Sequence, residues 1–538
     1  MRLSPGILAT GCFAVAAAVV VAFWAMLGAP VSMPVAPLAA GDKLACVSYA
    51  PFRNAQSPLE GPIVIERSQI EDDLTRLAKI TNCVRTYSVD FGLDQVPEVA
   101  QRHGLKVIQG LWLSSHADRN RYQIETTVAL ANRFPGVIEA VVVGNEVLLR
   151  GEMSGDDVAA TIRAVKARVP MPVTYADVWE FWLRFPKLYD AVDFVTIHVL
   201  PYWEDIPIPA AQAAAHVDAI HRKVATAYPG KDILIGEVGW PSAGRMRAGA
   251  EPSPSSQALV VQEVLALAKR ENYRVNIIEA FDQPWKRRLE GTVGGFWGLL
   301  DNDSRMPKFA WGKPVSDHPH WPLQAIVGVI LAAAVFAAAL RARLPDASPR
   351  GIDWLAVTVI AIVGGVLSGW AMADATYESL GVGGWLRSVV LCIVAVASPL
   401  LAAAGLVSRR PIPTFASILA DTGRMQPVVR LTYGITLIAL AVLAVQVALG
   451  LVFDPRYKDF PFAALTAGTV PFFIHGLFGH SRGPGGRGLA ECVVAAALAL
   501  SVVYIVPNEG LANWQSLWLC GALVALAFTL VRVRGAPD

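Results

Sequence analysis

Val141-Val142-Val143-Gly144-Asn145-Glu146 and Ile233-Leu234-Ile235-Gly236-Glu237-Val238-Gly239-Trp240-Pro241 decide how this chain is read. Each is a short aliphatic run that ends on a carboxylate. A run of this length, bounded by glycine, predicts a buried strand. An acid at the end of such a strand is costly unless it is paired, so two of them in one domain point to a site. Glu146 taken alone reads as a helix-start or salt-bridge acid. Glu237 resists that reading more, because Gly239-Trp240-Pro241 marks a constrained turn.

Working outward, the chain from Asp42 to about Asp317 alternates short strands and helices. The predicted strands are Lys43–Tyr49, Cys83–Ser88, Lys106–Leu111, Val137–Gly144, Pro172–Tyr175, Phe194–His198, Asp232–Glu237 and Asn276–Phe281. Helical patterns occupy Ser68–Ile80, Ile124–Phe134, Gly155–Val169, Pro209–Ala227 and Ser255–Arg270. This count and size predict an α/β fold, a (β/α)8 (TIM) barrel over residues 42–317. A doubly wound sheet is the rival, and it is disfavoured because no Gly-rich loop follows the first strand. In a barrel the C-terminal strand ends face the site. That rule gathers Glu146 and Glu237 with Tyr49, Arg53, Arg85, Tyr87, Trp112, Asn145, Tyr175, His198, Tyr202, Trp203, Trp240, Asp282, Trp285 and Lys286 at one rim. Taken singly, each tryptophan reads more readily as core, and His198 reads equally well as a satisfied rim histidine.

The flanks are of another kind. With 538 residues, 54% hydrophobic and 17% charged, the chain is too apolar for one soluble domain. Arg2 precedes an apolar run from Ile7 to Gly28, which predicts a signal anchor over residues 1–28, with a Pro/Ala-rich linker over 29–41. After His320 come seven apolar spans, about 321–340, 352–373, 385–407, 431–452, 460–478, 488–506 and 515–531. They predict an all-α transmembrane bundle over residues 321–532, in contact with the lipid bilayer. Arginines collect in alternate loops: Arg341, Arg343 and Arg350; Arg409, Arg410, Arg424 and Arg430; Arg482 and Arg487; Arg532 and Arg534. The positive-inside rule then puts both termini in the cytoplasm and the barrel outside.

From Asp42 to Val315 there are 31 Lys and Arg against 33 Asp and Glu, a balance that excludes a nucleic-acid binder. Cys12, Cys392, Cys492 and Cys520 lie in apolar spans and act as small hydrophobes. Cys46 and Cys83 sit on predicted strands and are candidates for a disulfide in an oxidising compartment. No zinc-like Cys/His spacing occurs, and no metal or organic cofactor is expected.

Two carboxylates across a barrel mouth are the requirement of glycoside hydrolysis. The acid needs a raised pKa and the nucleophile must stay ionised. Arg85 and Lys286 are candidates for keeping a carboxylate ionised. Trp112, Trp179, Trp203, Trp240, Trp285 and Trp297 offer flat faces on which sugar rings stack.

Val47-Ser48-Tyr49-Ala50-Pro51-Phe52-Arg53, Val84-Arg85-Thr86-Tyr87, Gly144-Asn145-Glu146, Pro201-Tyr202-Trp203, Gly236-Glu237-Val238-Gly239-Trp240-Pro241-Ser242 and Phe281-Asp282-Gln283-Pro284-Trp285-Lys286 occur in that order. With these motifs the barrel segment resembles glycoside hydrolase family 17, the β-1,3-glucanases and glucanosyltransferases. It looks most like the bacterial membrane-bound branch, often called β-(1-6) glucan synthases or β-glucosyltransferases. The resemblance covers none of the apolar spans. It implies that Glu146 is the general acid/base and Glu237 the nucleophile of a retaining mechanism. It further implies that Asn145 holds the sugar 2-OH, Tyr202 bonds the nucleophile and Lys286 supports the charged cluster. Gln283 stands where plant members carry Glu, so that role does not transfer, and Glu279 is the nearest stand-in.

The expectation is a membrane-anchored β-glucan enzyme on the periplasmic side of a bacterial inner membrane. It would transfer a glucosyl chain to a sugar acceptor or to water as glucan leaves a glucan synthase. The alternative is a sugar-binding component of a glucan transport or export system. Its weakness is that Asp374, Arg387, His475 and Glu491 are few and scattered for a path through the membrane.

Overall fold

The computed structural model describes residues 5–344, 349–420, 427–479 and 488–533. Arg2, Arg424, Arg482, Arg487 and Arg534 of the loop-charge pattern lie outside them. The chain forms two compact units. One comprises Val31–Gly244 and Gly249–Val315; the other comprises Met1–Pro30, Arg245–Ala248 and Ser316–Asp538.

The first unit is a closed parallel barrel whose strands neighbour one another in chain order. They are β1 (Cys46–Ser48), β2 (Cys83–Arg85), β3 (Lys106–Leu111), β4 (Ile138–Asn145), β5 (Val173–Val178), β6 (Val195–His198), β7 (Ile233–Val238) and β8 (Arg274–Ile277). β3 has the predicted bounds, and β1 and β2 are shorter than predicted. β8 departs most, since Asn276–Phe281 was expected. Ile277 is the last residue paired to both Val47 and Val238. Ile278 still donates to Val238; from Glu279 on, the chain stays bonded to β1 through Ala280 N–H to Ser48 O, but its other partner becomes the 297–300 segment.

The five predicted helices are present as Arg67–Leu77, Ala117–Arg133, Gly155–Lys166, Ala210–Ala227 and Pro254–Glu271. Ser154 and Ser253 cap two of them through backbone N–H groups at Asp157 and Ser256. Two short helices, Val96–Arg102 and Trp179–Arg184, were not anticipated, because seven and six residues carry too little periodicity to read.

The barrel interior is layered. Side chains alternate along a strand, so every second residue faces inward. Cys46, Cys83, Ile108, Ala140, Val142, Ala176, Phe194 and Leu234 form a buried cluster separate from the one that joins strands to helices. Val47 pairs with Val84, which sets Cys46 level with Cys83, and a disulfide joins them. Two residues onward stand Ser48 and Arg85, both fully buried. The interior thus changes from an apolar floor to a polar layer towards the C-terminal strand ends.

The second unit is helical: Pro5–Leu27, Trp321–Arg341, Gly351–Glu378, Gly381–Val407, Val428–Phe453, Phe462–Phe478, Leu489–Glu509 and Trp514–Arg532, with the short Phe415–Leu419. Among the described residues, seven helices are long and apolar enough to cross a membrane. Phe462–Phe478, where a span over 460–478 was expected, has 17 residues, about 25 Å of helix against a hydrocarbon core of about 30 Å. Pro461 limits its start.

Trp321–Arg341 and Gly351–Glu378 meet at Gly328 and Gly365, where a Cβ on Gly328 would lie 2.2 Å from the Gly365 oxygen. Small residues of this kind let membrane helices close on one another. Two polar residues considered for a transport path serve local structure. Glu491 accepts the Phe415 N–H at 2.6 Å, and His475 lies between the Tyr433 hydroxyl and the Arg410 carbonyl.

Candidate active site

Two strand ends deliver the carboxylates. At the end of β4 the backbone is left-handed at Gly144 (φ 89°) and again at Glu146 (φ 52°). A side chain at Gly144 would meet Val147 at 2.8 Å, so this step belongs to glycine. The same conformation at Glu146 is costly for an L-residue and is the kind of strain held at functional positions. The Glu146 N–H still bonds the Ala176 carbonyl of β5. Glu237 lies within β7, opposite His198 of β6.

The groups converge on Arg85. Its Nη1 donates to the Gly236 carbonyl at 2.6 Å and to Glu237 Oε1 at 3.2 Å. Its Nη2 donates to Asn145 Oδ1 at 2.6 Å and lies 3.3 Å from His198 Nε2. The Tyr87 hydroxyl is 2.9 Å from Glu237 Oε1 and 2.9 Å from Ser48 Oγ, which also accepts from Asn276. His198 Nδ1 is 2.8 Å from Glu146 Oε1, and its Nε2 is 3.6 Å from Glu237 Oε1. The Glu237 side chain is 7% exposed and that of Glu146 23%.

Ligand atoms of Glu146, His198 and Glu237 lie within 4.8 Å of one another, and by residue type they could hold a cation. The Arg85 guanidinium already stands against two of the three, so the residues do not fit a resident metal.

The electrostatics separate these groups. Burial raises the Glu146 carboxyl, but the His198 hydrogen bond, the imidazole itself and the charges of Arg150 and Arg85 outweigh it and hold it below the usual range. A raised acid was expected here, and the site has the opposite because a buried imidazole donor faces it. The raised carboxyls lie behind. Burial pushes Glu279 up to about 7, with Lys286 opposing and the charges of Glu237 and Glu290 adding. Burial raises Asp177 to about 6 and raises Glu290 as well. Lys286 Nζ bonds both Glu279 oxygens, at 2.9 and 3.0 Å.

Of the predicted site residues, Arg85, Tyr87, Asn145 and His198 gather around the two acids, with the Lys286–Glu279 pair behind them. Trp112, Trp203 and Trp285 stay half-buried. Arg150 lies 4.2 Å above the Trp112 ring, and Trp285 abuts Phe52. Tyr202 is fully buried among the rings of Trp203, Trp240 and Trp297.

Five residues are committed elsewhere. Tyr49 and Arg53 both bond Asp73, each at 3.1 Å. Tyr175 bonds Asp177 and the Leu148 N–H. Trp240 is fully buried, with its N–H on the Glu251 carbonyl. Asp282 is buried against Lys308 at 2.6 Å and the Gly298 N–H at 2.9 Å.

Ser48, Asp177, Asn276 and Glu290 were not anticipated. Glu290 stands four residues after Lys286, a helical spacing that was available to be read. Beside the loops after β3 and β4 lies an open cavity of about 430 Å³, lined by Ser114, Asn120, Glu152, Met153 and Ser154 among others.

Residues 46–298 match the family model of the BtgE/BtgC glycoside hydrolase domain. The chain is similar to a probable β-glucosidase btgE of Neosartorya fischeri, 26% identical over 225 residues, which are 40% of this chain and 40% of that protein. It is similar to a glucan 1,3-β-glucosidase of Candida albicans, 26% identical over 265 residues, covering 44% of this chain and 85% of that one. The chain thus spans under half the length of the btgE relative. Among solved structures, the glycoside hydrolase family 17 β-1,3-glucanosyltransferase of Rhizomucor miehei aligns at 26% identity with a TM-score of 0.44, over 50% of this chain and 97% of that chain.

Proposed function

We propose, for a chain whose barrel is a glycoside hydrolase domain, that the protein is a membrane-anchored, retaining β-glucan enzyme. It cleaves β-1,3-linked glucan through a covalent glycosyl-enzyme and passes the glucosyl chain to a sugar hydroxyl or to water. The observation that carries this reading is the carboxylate pair itself. Oxygens of Glu146 and Glu237 lie within 4.8 Å of each other. Retaining enzymes hold their carboxyls about 5–5.5 Å apart, and inverting ones leave about 6.5–9.5 Å for a water.

Glu237 attacks the anomeric carbon while its charge is held by Arg85 and Tyr87. Glu146 gives its proton to the departing glycosidic oxygen. In the second step Glu146 takes the proton of the incoming hydroxyl, and that oxygen displaces Glu237 from the sugar. Asn145, its oxygen held by Arg85, would use its amide hydrogens on the sugar 2-OH. The Lys286–Glu279 pair fixes the charge behind the nucleophile.

The names of the btgE and Candida relatives support a β-glucan substrate. The half-buried tryptophans and the cavity beside the β4 loop support an acceptor sugar, and so transfer over hydrolysis. The apolar helices support anchoring in the bilayer. The buried disulfide supports an oxidising compartment for the barrel, the periplasmic side of a bacterial inner membrane with both termini cytoplasmic. There the enzyme would remodel glucan as it emerges from a synthase.

The test uses the full chain in detergent with a laminari-oligosaccharide. Products longer than the substrate, with β-configured new bonds, are expected. Only shorter products reduce the reading to hydrolysis, and an α-anomer as first product removes retention.

A further inference from the structure

His198 has a place that the double-displacement scheme does not use. Its side chain is fully buried, at the end of β6, between the two acids. Nδ1 is 2.8 Å from Glu146 Oε1. Nε2 is 3.3 Å from Arg85 Nη2 and 3.6 Å from Glu237 Oε1. An arginine donates and never accepts. The nitrogen facing it must therefore carry the lone pair, which leaves the hydrogen on Nδ1, aimed at Glu146. The second ring nitrogen thus fixes the tautomer of the first.

We propose that His198 is a positioning residue that holds one carboxyl oxygen of Glu146 through both chemical steps, so that the other oxygen alone faces the glycosidic bond, first as acid and then as base. A carboxyl oxygen accepts the Nδ1–H whether or not its partner oxygen carries a proton, so the contact survives proton transfer. This inference rests on the retaining reading above. The other charged groups around the imidazole are Arg85 from β2, Asp177 from β5 and Glu237 from β7. Arg150 and Glu290 act on Glu146 from the loops. The donor also favours the ionised form of Glu146, the form the second step requires.

Two substitutions separate positioning from packing. His198→Asn keeps a donor near the Nδ1 position. His198→Gln places its amide near the Nε2 position and gives up the bond to Glu146. The pH profile of kcat/KM is recorded on the full chain in detergent, with aryl β-glucosides of good and poor leaving groups. For His198→Gln the basic limb is expected to move up by about one pH unit, and release of the glycosyl-enzyme to slow about tenfold, giving a burst with a dinitrophenyl leaving group. His198→Asn should keep the wild-type profile. Equal behaviour of the two variants, or an unmoved profile with lower kcat, overturns the proposal.

¹⁵N NMR of histidine-labelled full chain reads the tautomer without any turnover. An Nδ1–H is expected, and an Nε2–H overturns the proposal even in an active enzyme. Inverted products alongside an Nδ1–H would defeat the retaining reading and leave this contact standing.

Discussion

At the end of β7, Glu237 is 7% exposed, lies within the strand where its register to both neighbours shifts, and takes donors from Arg85 and Tyr87. At the end of β4, Glu146 is 23% exposed, sits in left-handed backbone and takes its nearest donor from His198. One acid is held by a guanidinium and a phenol; the other is held by an imidazole ring. A nucleophile has one protonation state to keep, whereas an acid/base must change its own within each cycle. The proposed roles thus rest on the partners rather than on the acids, which are chemically alike.

The most severe test of that contrast is Glu237→Gln. Turnover of laminari-oligosaccharide should fall on the order of 10⁴-fold or more, because in the proposed scheme no other group forms the covalent bond. Residual activity above a tenth would end the assignment. Glu146→Gln should cost about 10²–10⁴-fold, and the loss should depend on the leaving group. It should be large for a sugar and small for dinitrophenol, with azide restoring turnover as the β-glucosyl azide. Equal losses across leaving groups would erase the difference between the two strand ends.

Tyr87→Phe removes one charge-assisted donor from Glu237, a contribution of about 1.5 kcal/mol, or roughly tenfold in kcat/KM. An unchanged rate would leave Arg85 alone in that role.

The smallest effect concerns stability. In the folded chain Glu279 keeps its proton up to about 7, whereas unfolded glutamate loses it near about 4.3. Between those values the folded state binds more protons, so stability present at lower pH declines as pH rises through the folded value. The slope is at most about 1.4 kcal/mol per pH unit. Melting temperatures at pH 5 and 7.5 should therefore differ by less in Glu279→Gln than in the wild type. The lysine partner leaves the sign unchanged. Its raised pKa contributes stability that is fully present throughout this window.

The barrel and its two acids were legible because buried parallel strands write short aliphatic runs and place their last residues at one rim. Glu146, Glu237, Arg85 and Asn145 could be read that way, since each stands on or just after a strand. Residues on the following loops could not. Asp282 was expected at the substrate but pairs with Lys308, and Arg53 was expected there but pairs with Asp72 and Asp73. Their partners lie 26, 19 and 20 positions away along the chain, in segments whose direction no periodicity records. Tyr87 emerged as a further donor to Glu237, two residues beyond Arg85 and so on the same inward phase of the chain. The raised pKa expected of Glu146 failed for a related reason: the phase of β6 places His198 at the rim, but whether its ring reaches across to β4 depends on barrel curvature.

The disulfide in the barrel floor has a consequence for measurement. Cys46 and Cys83 are only 5% and 3% exposed, beneath the polar layer and inside the ring of strands. A small reductant can reach the sulfurs only when neighbouring strands part. The rate at which thiols appear under a fixed excess of reductant is therefore a clock for opening of the barrel, built in without a label. Saturating the cleft with an oligosaccharide should slow that clock.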